Sequence, residues 1–492
     1  MQERVGDMNV KHFLAFDVGT TSMKCILFNE SFEELFYENR EYDIESGPNG
    51  IAQIAPQVYY QTFCDCIAAM TKKVNVGQLP LAICFTTQGE TLIPVDAEGN
   101  ALTKAIVWLD TRAGKEADYI CKGISRENWY ATTGLCEIDG ALPMAKVLWL
   151  KKNEPEIYRK TDKFLLLEDY LIFCLTGKRV SEKSLQSSTG WYDIVREKMY
   201  TEVLQLCQVE EGKFPEILPC GTVVGGISSQ IAESLGLSAE TVVVTGAMDQ
   251  IASAIGAGNT HQGIVTETTG TALVVGATVQ KPEFDLQIPL TVYKHYNDQF
   301  IYMPYFATAG ITLKWFRDTM LSHLVGEAKE KGVSSYDLIN EMVKTSPPGS
   351  NGVMMNPDLM TGGAFYGLTL SSSMADMARS VMEGVAFMLR SLIEAVEAKK
   401  IAVESILSMG GGSYSAVWSE IKAAVCGKPI HCVGYSQTTA LGAAILAAAA
   451  VGSCDSVEAA SKQIVDSGHI YGPNEKLKAI YDEVYIQYKN HI

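Results

Sequence analysis

Several residues near the start of the chain have the types and spacing that phosphate chemistry needs. Asp17 follows an apolar run, and the turn Gly19-Thr20-Thr21-Ser22 comes almost directly after it. Glycine lets the backbone approach a bulky anion, and the hydroxyl residues supply N–H and O–H donors to phosphate oxygens. The carboxylate can hold a hydrated metal ion against those phosphates, and Lys24 adds a positive charge. Taken alone, this stretch also fits an ordinary hairpin turn, which favours the same residue types.

A second hydroxyl-rich turn, Thr269-Gly270-Thr271, lies between two apolar runs in the later half of the chain. It repeats the strand, turn and returning strand of the first stretch. We interpret the two turns as a weak internal repeat of function, with one phosphate-type turn in each half. The repeat predicts two domains, 1–255 and 256–492, which agrees with the size expected for a chain of 492 residues.

Asp249 is a candidate general base. It follows a β-branched run at 241–245 and Gly246, and the small residues 251–257 predict a helix after it. A carboxylate beside a hydroxyl can accept its proton during attack on phosphorus, which contributes about 10²–10⁴-fold in rate. In isolation, an aspartate at this position is more often a helix cap.

The elements that must position these residues alternate between strands and helices. The apolar run 81–85 predicts a buried strand leading into the polar cluster 86–91, and the run at 105–109 leads into Asp110 and Arg112. In open α/β sheets, ligands bind at such carboxyl ends of strands. Residues 113–235 show no chemistry of this kind, and Ser184 to Thr189 is interpreted as a surface stretch.

In the second half, the serines at 371–373 predict a cap for a helix with apolar positions 3.6 residues apart. Residues 405–409 predict a strand, and the triple glycine at 410–412 predicts a turn that opens a helix. Gly427 is expected to end that helix.

Composition limits the possible partners. The net charge of −17 argues against general nucleic-acid binding and against an anionic membrane surface. The 12 cysteines lack metal-ligand spacing, which is typical of reduced cytosolic thiols. No secretory signal is visible, and the longest apolar tract, 440–452, is far below the roughly 20 residues that cross a bilayer. We therefore expect a cytoplasmic protein.

The ordered set of motifs resembles the FGGY family of carbohydrate kinases. The two hydroxyl-rich turns, the segment around Asp249 and the late triple glycine occur in the family's order and span essentially the full chain. Supporting matches lie at 108–112, 313–318, 365–368, 379–387 and 440–444. The resemblance implies an α/β fold of two actin-like ATPase (ribonuclease H-like) domains with a deep interdomain cleft.

The resemblance also implies ATP and Mg²⁺ as cofactors and assigns residue roles. Asp249 matches the catalytic aspartate, and Asp17 would act on Mg²⁺ through water. The residues implied to bind the nucleotide are Gly19, Thr20, Thr21, Ser22, Lys24, Thr269, Gly270, Thr271, Gly310, Gly411, Gly412 and Ser415.

For the acceptor sugar, the candidates are Gln88, Glu90, Trp108, Asp110, Arg112, Asp249 and Gln250. Polar side chains pair with adjacent hydroxyls, and a flat indole covers C–H faces. The alternatives are a core aromatic for Trp108 and a solvated ion pair for Asp110 and Arg112.

The identity of the sugar rests on residues 87–91. Glycerol kinases carry an arginine where this chain has Gly89, and its loss predicts room for a longer substrate than glycerol. A xylulose-type pentulose fits first, with a glycerol- or erythritol-type polyol as the alternative. A non-catalytic actin-fold nucleotide sensor is a further alternative, and a Rossmann dehydrogenase is excluded because the required glycine motif is missing. By analogy, a homodimer is one assembly that the resemblance implies.

Overall fold

The computed structural model describes residues 11–75, 78–465 and 468–491. The strands are β1 (His12–Val18), β2 (Ser22–Asn29), β3 (Glu34–Glu41), β4 (Glu45–Ser46), β5 (Ala52–Ile54), β6 (Ala82–Thr87), β7 (Leu92–Val95), β8 (Ala105–Ile106), β9 (Lys163–Leu166), β10 (Val180–Glu182), β11 (Tyr192–Asp193), β12 (Lys198–Met199), β13 (Glu216–Leu218), β14 (Val223–Gly226), β15 (Val242–Met248), β16 (Ile264–Thr269), β17 (Leu273–Val279), β18 (Val292–Lys294), β19 (Phe300–Tyr302), β20 (Tyr305–Phe306), β21 (Met354–Asn356), β22 (Ala364–Tyr366), β23 (Ser405–Met409), β24 (Ile430–Cys432) and β25 (His469–Tyr471).

The α-helices are α1 (Pro56–Thr71), α2 (Gly114–Gly123), α3 (Arg126–Thr133), α4 (Pro143–Asn153), α5 (Pro155–Lys160), α6 (Leu167–Thr176), α7 (Lys183–Gln186), α8 (Thr201–Cys207), α9 (Ser229–Leu235), α10 (Asp249–Gly256), α11 (Gly310–Met320), α12 (Ser322–Lys331), α13 (Ser335–Lys344), α14 (Met374–Glu397), α15 (Ala416–Cys426), α16 (Thr438–Ala450), α17 (Val457–Val465) and α18 (Glu475–Lys489).

The chain forms two compact units. Unit 1 comprises the described residues through Gly256 together with Phe284–Phe300 and Gln437–Ser461, and unit 2 comprises the remaining described residues. The predicted boundary between residues 255 and 256 lies next to the first passage from unit 1 to unit 2, and the chain later returns to unit 1 twice.

The main sheet of unit 1 has the order β14-β15-β6-β1-β2-β3. β1, β6 and β15 run parallel, whereas β2 returns antiparallel to β1, as the sequence predicts for the first hairpin. Phe16 of β1, Phe85 of β6 and Phe63 of α1 pack together with ring centroids 4.9–5.7 Å apart. This aromatic contact packs α1 against the sheet.

The alanine-rich α16 packs against α10 and the main sheet of unit 1. A Cβ at Gly256 would lie 1.9 Å from the Thr438 carbonyl, and one at Gly442 would lie 1.9 Å from the Ala252 carbonyl. The two glycines therefore allow the helices to touch through their backbones. This contact anchors α10, whose first residue is Asp249.

The prediction of a surface stretch at Ser184 to Thr189 is wrong. All six residues are buried, each with no more than 1% of its surface exposed. The hydroxyls of Ser187, Ser188 and Thr189 donate to main-chain carbonyls of the same tight turn, and the Gln186 amide donates to the Ser181 hydroxyl at 2.8 Å. A polar run can thus be buried when its hydrogen bonds are made locally.

Unit 2 contains a second mixed sheet. β16 is antiparallel to β17 and parallel to β23, and β23 is parallel to β24. The expected helix at 374 begins after Ser373, whose hydroxyl accepts the Asp376 N–H. The helix after the triple glycine is α15, and it ends at Gly427 in the left-handed conformation, as predicted.

All twelve cysteines are free thiols. Within the described part of the chain, no helix is both long and apolar enough to span a bilayer.

Candidate active site

The carboxyl ends of three parallel strands bring predicted residues of unit 1 to one sheet edge. Asp17 of β1 lies opposite Thr86 of β6, and Thr86 lies opposite Ala247 of β15. Gln88 follows β6, and Asp249 follows β15. Because the strands end at the same level, polar side chains from three distant segments meet there.

The first hydroxyl-rich turn is closed by its own backbone and by a tyrosine. The Gly19 N–H donates to the Ser22 carbonyl at 3.0 Å. The Tyr42 hydroxyl lies 2.5 Å from the Gly19 carbonyl and 3.1 Å from the Ser22 carbonyl, so it can donate to either. Tyr42 was not among the residues predicted from the sequence, because nothing local to it marks a contact with a turn twenty residues earlier.

Asp17 has the surroundings expected of a carboxylate that shares a metal ion with phosphates. Its side chain is 13% exposed and pairs with Lys24 Nζ at 3.0 Å. Mg²⁺ is usually held by one or two carboxylates plus phosphates, and it retains several waters. Among the described residues, no cluster of three or more histidine, cysteine, aspartate or glutamate side chains forms a ready metal site. If Mg²⁺ binds here, Asp17 is the side chain that would hold it, with water and phosphate oxygens as further ligands.

Asp249 has the electrostatics of a general base that works near neutral pH. Burial, together with the negative charge of Asp17, raises the pKa of Asp249 to about 7. The Gln250 N–H donates to its Oδ1 at 2.7 Å, which favours the ionised form. A base is most effective when its pKa is close to the working pH.

Glu90 and Gln88 lie beside this carboxylate. Burial raises the pKa of Glu90 to about 7; the positive charge of Lys146 opposes this shift, and the charges of Asp139 and Asp249 add to it. Glu90 also adopts a left-handed backbone with φ 63°, a strain typical of functional sites. The Gln88 amide donates to the Thr91 hydroxyl at 2.9 Å. The buried Oε1 of Gln88 accepts no hydrogen bond from the described residues, so this oxygen is available to a substrate hydroxyl.

Lys146 is a site residue that sequence reasoning missed. Its side chain is fully buried, and Nζ donates to the carbonyls of Glu90 at 3.1 Å and Val107 at 2.9 Å. Burial lowers the pKa of Lys146 to about 8, although the negative charge of Glu90 acts to raise it. The available signal was a single cation within the apolar start of α4.

Asp110 and Arg112 form a largely buried ion pair. Asp110 is fully buried, and its carboxylate accepts from the Ala52 N–H at 2.7 Å and from Arg112 Nη2 at 2.6 Å. Arg112 Nη2 also donates to Gln53 Oε1 at 3.0 Å. These bonds hold the loop after β8 against β5, unlike the solvated ion pair that was the alternative.

Trp108 is carried by the same loop. The residue is 40% exposed, and its indole N–H donates to the Thr20 hydroxyl at 2.9 Å. The contact joins a predicted sugar-binding residue to a predicted phosphate-binding residue within unit 1. The exposed ring face is free to cover an apolar face of a sugar.

Unit 2 contains a pocket of about 480 Å³. Its walls include every residue of this half that the sequence assigns to the nucleotide: Thr269, Gly270, Thr271, Gly310, Gly411, Gly412 and Ser415. Lys314, Tyr336, Asn340, Tyr414 and Trp418 also line the pocket and were not assigned to the site from the sequence.

Glycines shape this pocket. A Cβ at Gly310 would lie 2.3 Å from the Gly270 carbonyl oxygen, so α11 begins directly against the turn. Gly270 and Gly411 have open space beyond the position of a Cβ, so a side chain there would fill pocket volume. The pocket also receives the N-terminal end of α11, a position that favours anions.

A buried ion pair contacts the first residue of the second turn. Lys422 Nζ lies 2.6 Å from Glu267 Oε1 and 2.9 Å from the Thr269 hydroxyl, and both charged side chains are fully buried. The Thr269 hydroxyl donates to Glu267 Oε2 at 2.7 Å. Because the hydroxyl donates its proton within the protein, it is not available as a donor to a phosphate.

Each unit contains a main sheet with both parallel and antiparallel strands. This is the architecture of a two-domain α/β protein with an actin-like ATPase fold. Profile comparison matches the FGGY family of carbohydrate kinases, N-terminal domain, over residues 12–256 and its C-terminal domain over residues 265–451. The chain belongs to the FGGY family of carbohydrate kinases, and its enzymatic class is that of a carbohydrate kinase.

Relatives with different substrates lie at similar distances. The chain is 27% identical to a xylulose kinase of Lactococcus lactis over 96% of its length and 95% of that protein. It is 26% identical to a gluconokinase of Bacillus licheniformis over 94% of its length and 92% of that protein.

Solved structures match over nearly the whole chain. A xylulose kinase from Rhodospirillum rubrum aligns with a TM-score of 0.88 at 24% identity, covering 98% of both chains. A glycerol kinase from Plasmodium falciparum with ADP aligns with a TM-score of 0.86 at 20% identity, also covering 98% of both chains. These similarities support the fold and leave the substrate open.

Proposed function

We propose that this protein is an ATP-dependent kinase that phosphorylates a hydroxyl of a small, uncharged ketose or polyol, with a xylulose-type pentulose as the first candidate. The nucleotide would bind the unit 2 pocket, as the match to an ADP-bound relative also suggests. Asp249 would accept the proton of the attacking hydroxyl. Lys24 and the turn Gly19–Ser22 would contribute donors and charge to the phosphates.

Magnesium, when bound, supplies charge neutralisation at the transferring phosphate, and Asp17 is the side chain that would hold it through water. The remaining chemistry belongs to the chain itself. The backbone N–H and the hydroxyl of Thr271 would orient phosphate oxygens, since the Gly270 N–H already donates to the Ala272 carbonyl at 3.0 Å. Gly411, Gly412 and Ser415 would leave room for the adenine and ribose.

The negative charge of the residues around the proposed sugar site is the observation that supports an uncharged acceptor. Glu90 and Asp249 act on each other electrostatically, and Asp17 and Asp139 add further negative charge. The nearby cations are already engaged: Lys24 with Asp17, Arg112 with Asp110, and Lys146 with two carbonyls. A substrate carboxylate, such as that of gluconate, would meet like charge, and these described cations already have partners, so binding would lose affinity.

The space beside Gly89 bears on the length of the acceptor. A Cβ at this position would lie 3.2 Å from Met248 Sδ and 3.3 Å from Ser188 Oγ. The volume vacated by the arginine of glycerol kinases is therefore partly occupied by these two side chains. This observation keeps a short polyol, of the glycerol or erythritol type, as the second candidate.

An ADP-release assay of purified protein against xylulose, ribulose, erythritol, erythrulose, glycerol and gluconate tests the proposal. We expect the highest kcat/KM with a ketopentose and the lowest with gluconate. Asp249→Asn should lower kcat by about 10²–10⁴-fold, because the general base is lost, while ATP still binds. Preferred turnover of gluconate would overturn the uncharged-substrate proposal, and wild-type turnover by Asp249→Asn would overturn the assignment of the base.

A further inference from the structure

The strand that carries Asp249 leaves regular pairing just before that residue. β15 pairs with β6 at Val244 opposite Cys84 and again at Ala247 opposite Thr86. Three steps along β15 therefore match two steps along β6, which places one extra residue in β15. The extra residue forms a bulge next to the carboxylate that the reaction needs.

Gly246 lies in this bulge, and its backbone touches the neighbouring strand. A Cβ at Gly246 would lie 1.7 Å from the Phe85 carbonyl oxygen. A residue with a side chain would push β15 away from β6 at this point. The close approach shows that the bulge has a defined position.

Two backbone amides, one in the bulge and one just after it, donate to side chains. The Gly246 N–H donates to Glu168 Oε1 at 2.8 Å, and the Met248 N–H donates to Ser184 Oγ at 3.0 Å. The Ser184 hydroxyl in turn donates to Glu182 Oε1 at 2.8 Å. Side chains thus bind the backbone at Gly246 and at Met248, which lie three residues and one residue before Asp249.

Both anchors are buried, and both lie at the start of helices outside the main sheet. Glu168 is the second residue of α6, and Ser184 is the second residue of α7; each has at most 1% of its surface exposed. Glu182 Oε2 accepts the Ser184 N–H at 2.6 Å and the Cys220 thiol at 2.9 Å. The orientation of the Ser184 hydroxyl is therefore set by a carboxyl group that is itself held in place.

Burial and the charge of Glu182 raise the pKa of Glu168 well above its usual range, so a neutral carboxyl group is expected there. A neutral carboxyl group still accepts the Gly246 N–H through one oxygen. Its Oε2 has no hydrogen-bond partner in the part of the chain that the structure describes.

We propose that Glu168 and Ser184 are positioning residues for phosphoryl transfer: through Gly246 and Met248 they hold the β15 bulge that directs Asp249 towards the acceptor hydroxyl. This inference rests on the proposed role of Asp249 as the base. A general base must lie within about 2.6–3.2 Å of the proton it accepts. A displacement of about 1 Å can cost on the order of 10²-fold in rate.

Ser184→Ala removes the acceptor of the Met248 N–H and leaves the backbone of α7 intact. We expect kcat to fall by about 10–100-fold, with the KM for ATP within about twofold of the wild-type value. Ser187→Ala is the matched control, since Ser187 is equally buried in the same turn and its hydroxyl binds the Ser184 carbonyl rather than β15. Equal kcat values for the two variants would overturn the proposal.

A double-mutant cycle separates positioning from general support of the fold. In an Asp249→Asn background, Ser184→Ala should change the residual rate, followed with radiolabelled ATP, by less than about twofold, because no base remains to be misplaced. A loss as large as in the wild-type background would show a purely structural role and would overturn the proposal.

The Glu168 pair tests the second anchor. Glu168→Gln keeps a neutral acceptor of the same shape and should retain kcat within about threefold, whereas Glu168→Leu should lose about 10–100-fold. A Gln variant as impaired as the Leu variant would contradict the role assigned to Glu168. If the Leu variant does not fold, the Ser184 cycle decides.

The outcomes also distinguish this inference from the proposed function. A wild-type protein that phosphorylates none of the six acceptors removes the proposed function itself. An active wild-type protein in which Ser184→Ala and Ser187→Ala behave alike removes only the positioning role.

Discussion

The two hydroxyl-rich turns have similar sequences and very different supports. The Gly19–Ser22 turn in unit 1 is held by neutral hydrogen bonds from Tyr42 and lies beside the partly exposed Asp17–Lys24 pair. The Thr269–Thr271 turn in unit 2 lies above a fully buried ion pair, Lys422 with Glu267. Two turns of similar sequence are thus stabilised by different interactions. Breaking the buried pair should cost several kcal/mol more in the free energy of unfolding than breaking the partly exposed pair.

The difference extends to the hydroxyl groups themselves. The Thr20 hydroxyl accepts a hydrogen bond from Trp108 and keeps its own proton to donate. The Thr269 hydroxyl gives its proton to Glu267 and accepts from Lys422. Thr20 can therefore offer a side-chain donor to a phosphate, whereas Thr269 cannot. In the second turn, the side-chain donor is the exposed Thr271 hydroxyl, which lines the pocket.

The largest contrast should follow from removing each lysine. Lys422→Met leaves the Glu267 carboxylate buried without its cation and should lower the free energy of unfolding by about 3–5 kcal/mol. Lys24→Met removes a partly exposed pair and should cost about 0–1 kcal/mol. Urea unfolding of both variants measures the difference. Equal losses would show that the two turns are supported alike.

Alanine at a glycine in or beside each turn should give the next largest contrast. At Gly310, the added Cβ would lie 2.3 Å from the Gly270 carbonyl oxygen, so the turn must move; about 1–3 kcal/mol of stability should be lost. At Gly19, the nearest atom would be the Ser22 carbonyl oxygen at an ordinary 3.5 Å, and stability in the absence of ligand should change little. A tolerant Gly310→Ala would argue against a rigid second turn.

The pH dependence should belong to unit 1. Asp249 has its pKa raised to about 7, and a base works only when ionised, so activity should be lost as the pH falls through 7. We expect kcat to drop by about tenfold between pH 8 and pH 6. Glu90→Gln is the control, because Glu90 titrates in the same range. A pH profile that disappears in Glu90→Gln would assign the titration to Glu90 instead.

The smallest of these contrasts should come from Tyr42→Phe and its control. The change removes the hydroxyl that binds the Gly19 and Ser22 carbonyls and should cost about 1 kcal/mol of stability. The KM for ATP should rise modestly as the turn loosens, while Tyr59→Phe serves as a buried control that does not bind the turn. An unchanged KM for ATP in Tyr42→Phe would show that the backbone alone shapes the first turn.

Much of the fold was predictable because its signals are local. The β1–β2 hairpin, the cap at Ser373 and the end of α15 at Gly427 all follow from turn and capping preferences of a few neighbouring residues. The residues of the second half that the resemblance assigns to the nucleotide line one pocket, and their role stays a prediction. Their assignment depended on the order of several motifs, since each motif alone fits an ordinary turn.

Other parts of the site were beyond the sequence. Ser184 to Thr189 reads as surface because its composition is polar, yet the turn is buried with its hydrogen bonds satisfied. Lys146 resembles any helical lysine until its carbonyl partners, some forty and fifty-six residues away in the chain, are known.

The family, the two hydroxyl-rich turns and the carboxylate after β15 can be predicted from the sequence alone, because their glycine, hydroxyl and carboxylate residues are adjacent in the chain. The side chains that support them are known only from the folded chain: Tyr42 at the first turn, Lys422 at the second, and Glu168 and Ser184 next to the segment before Asp249. The physical reason is that burial, a shifted pKa and the partner of a backbone amide depend on atoms brought close by folding from distant parts of the chain.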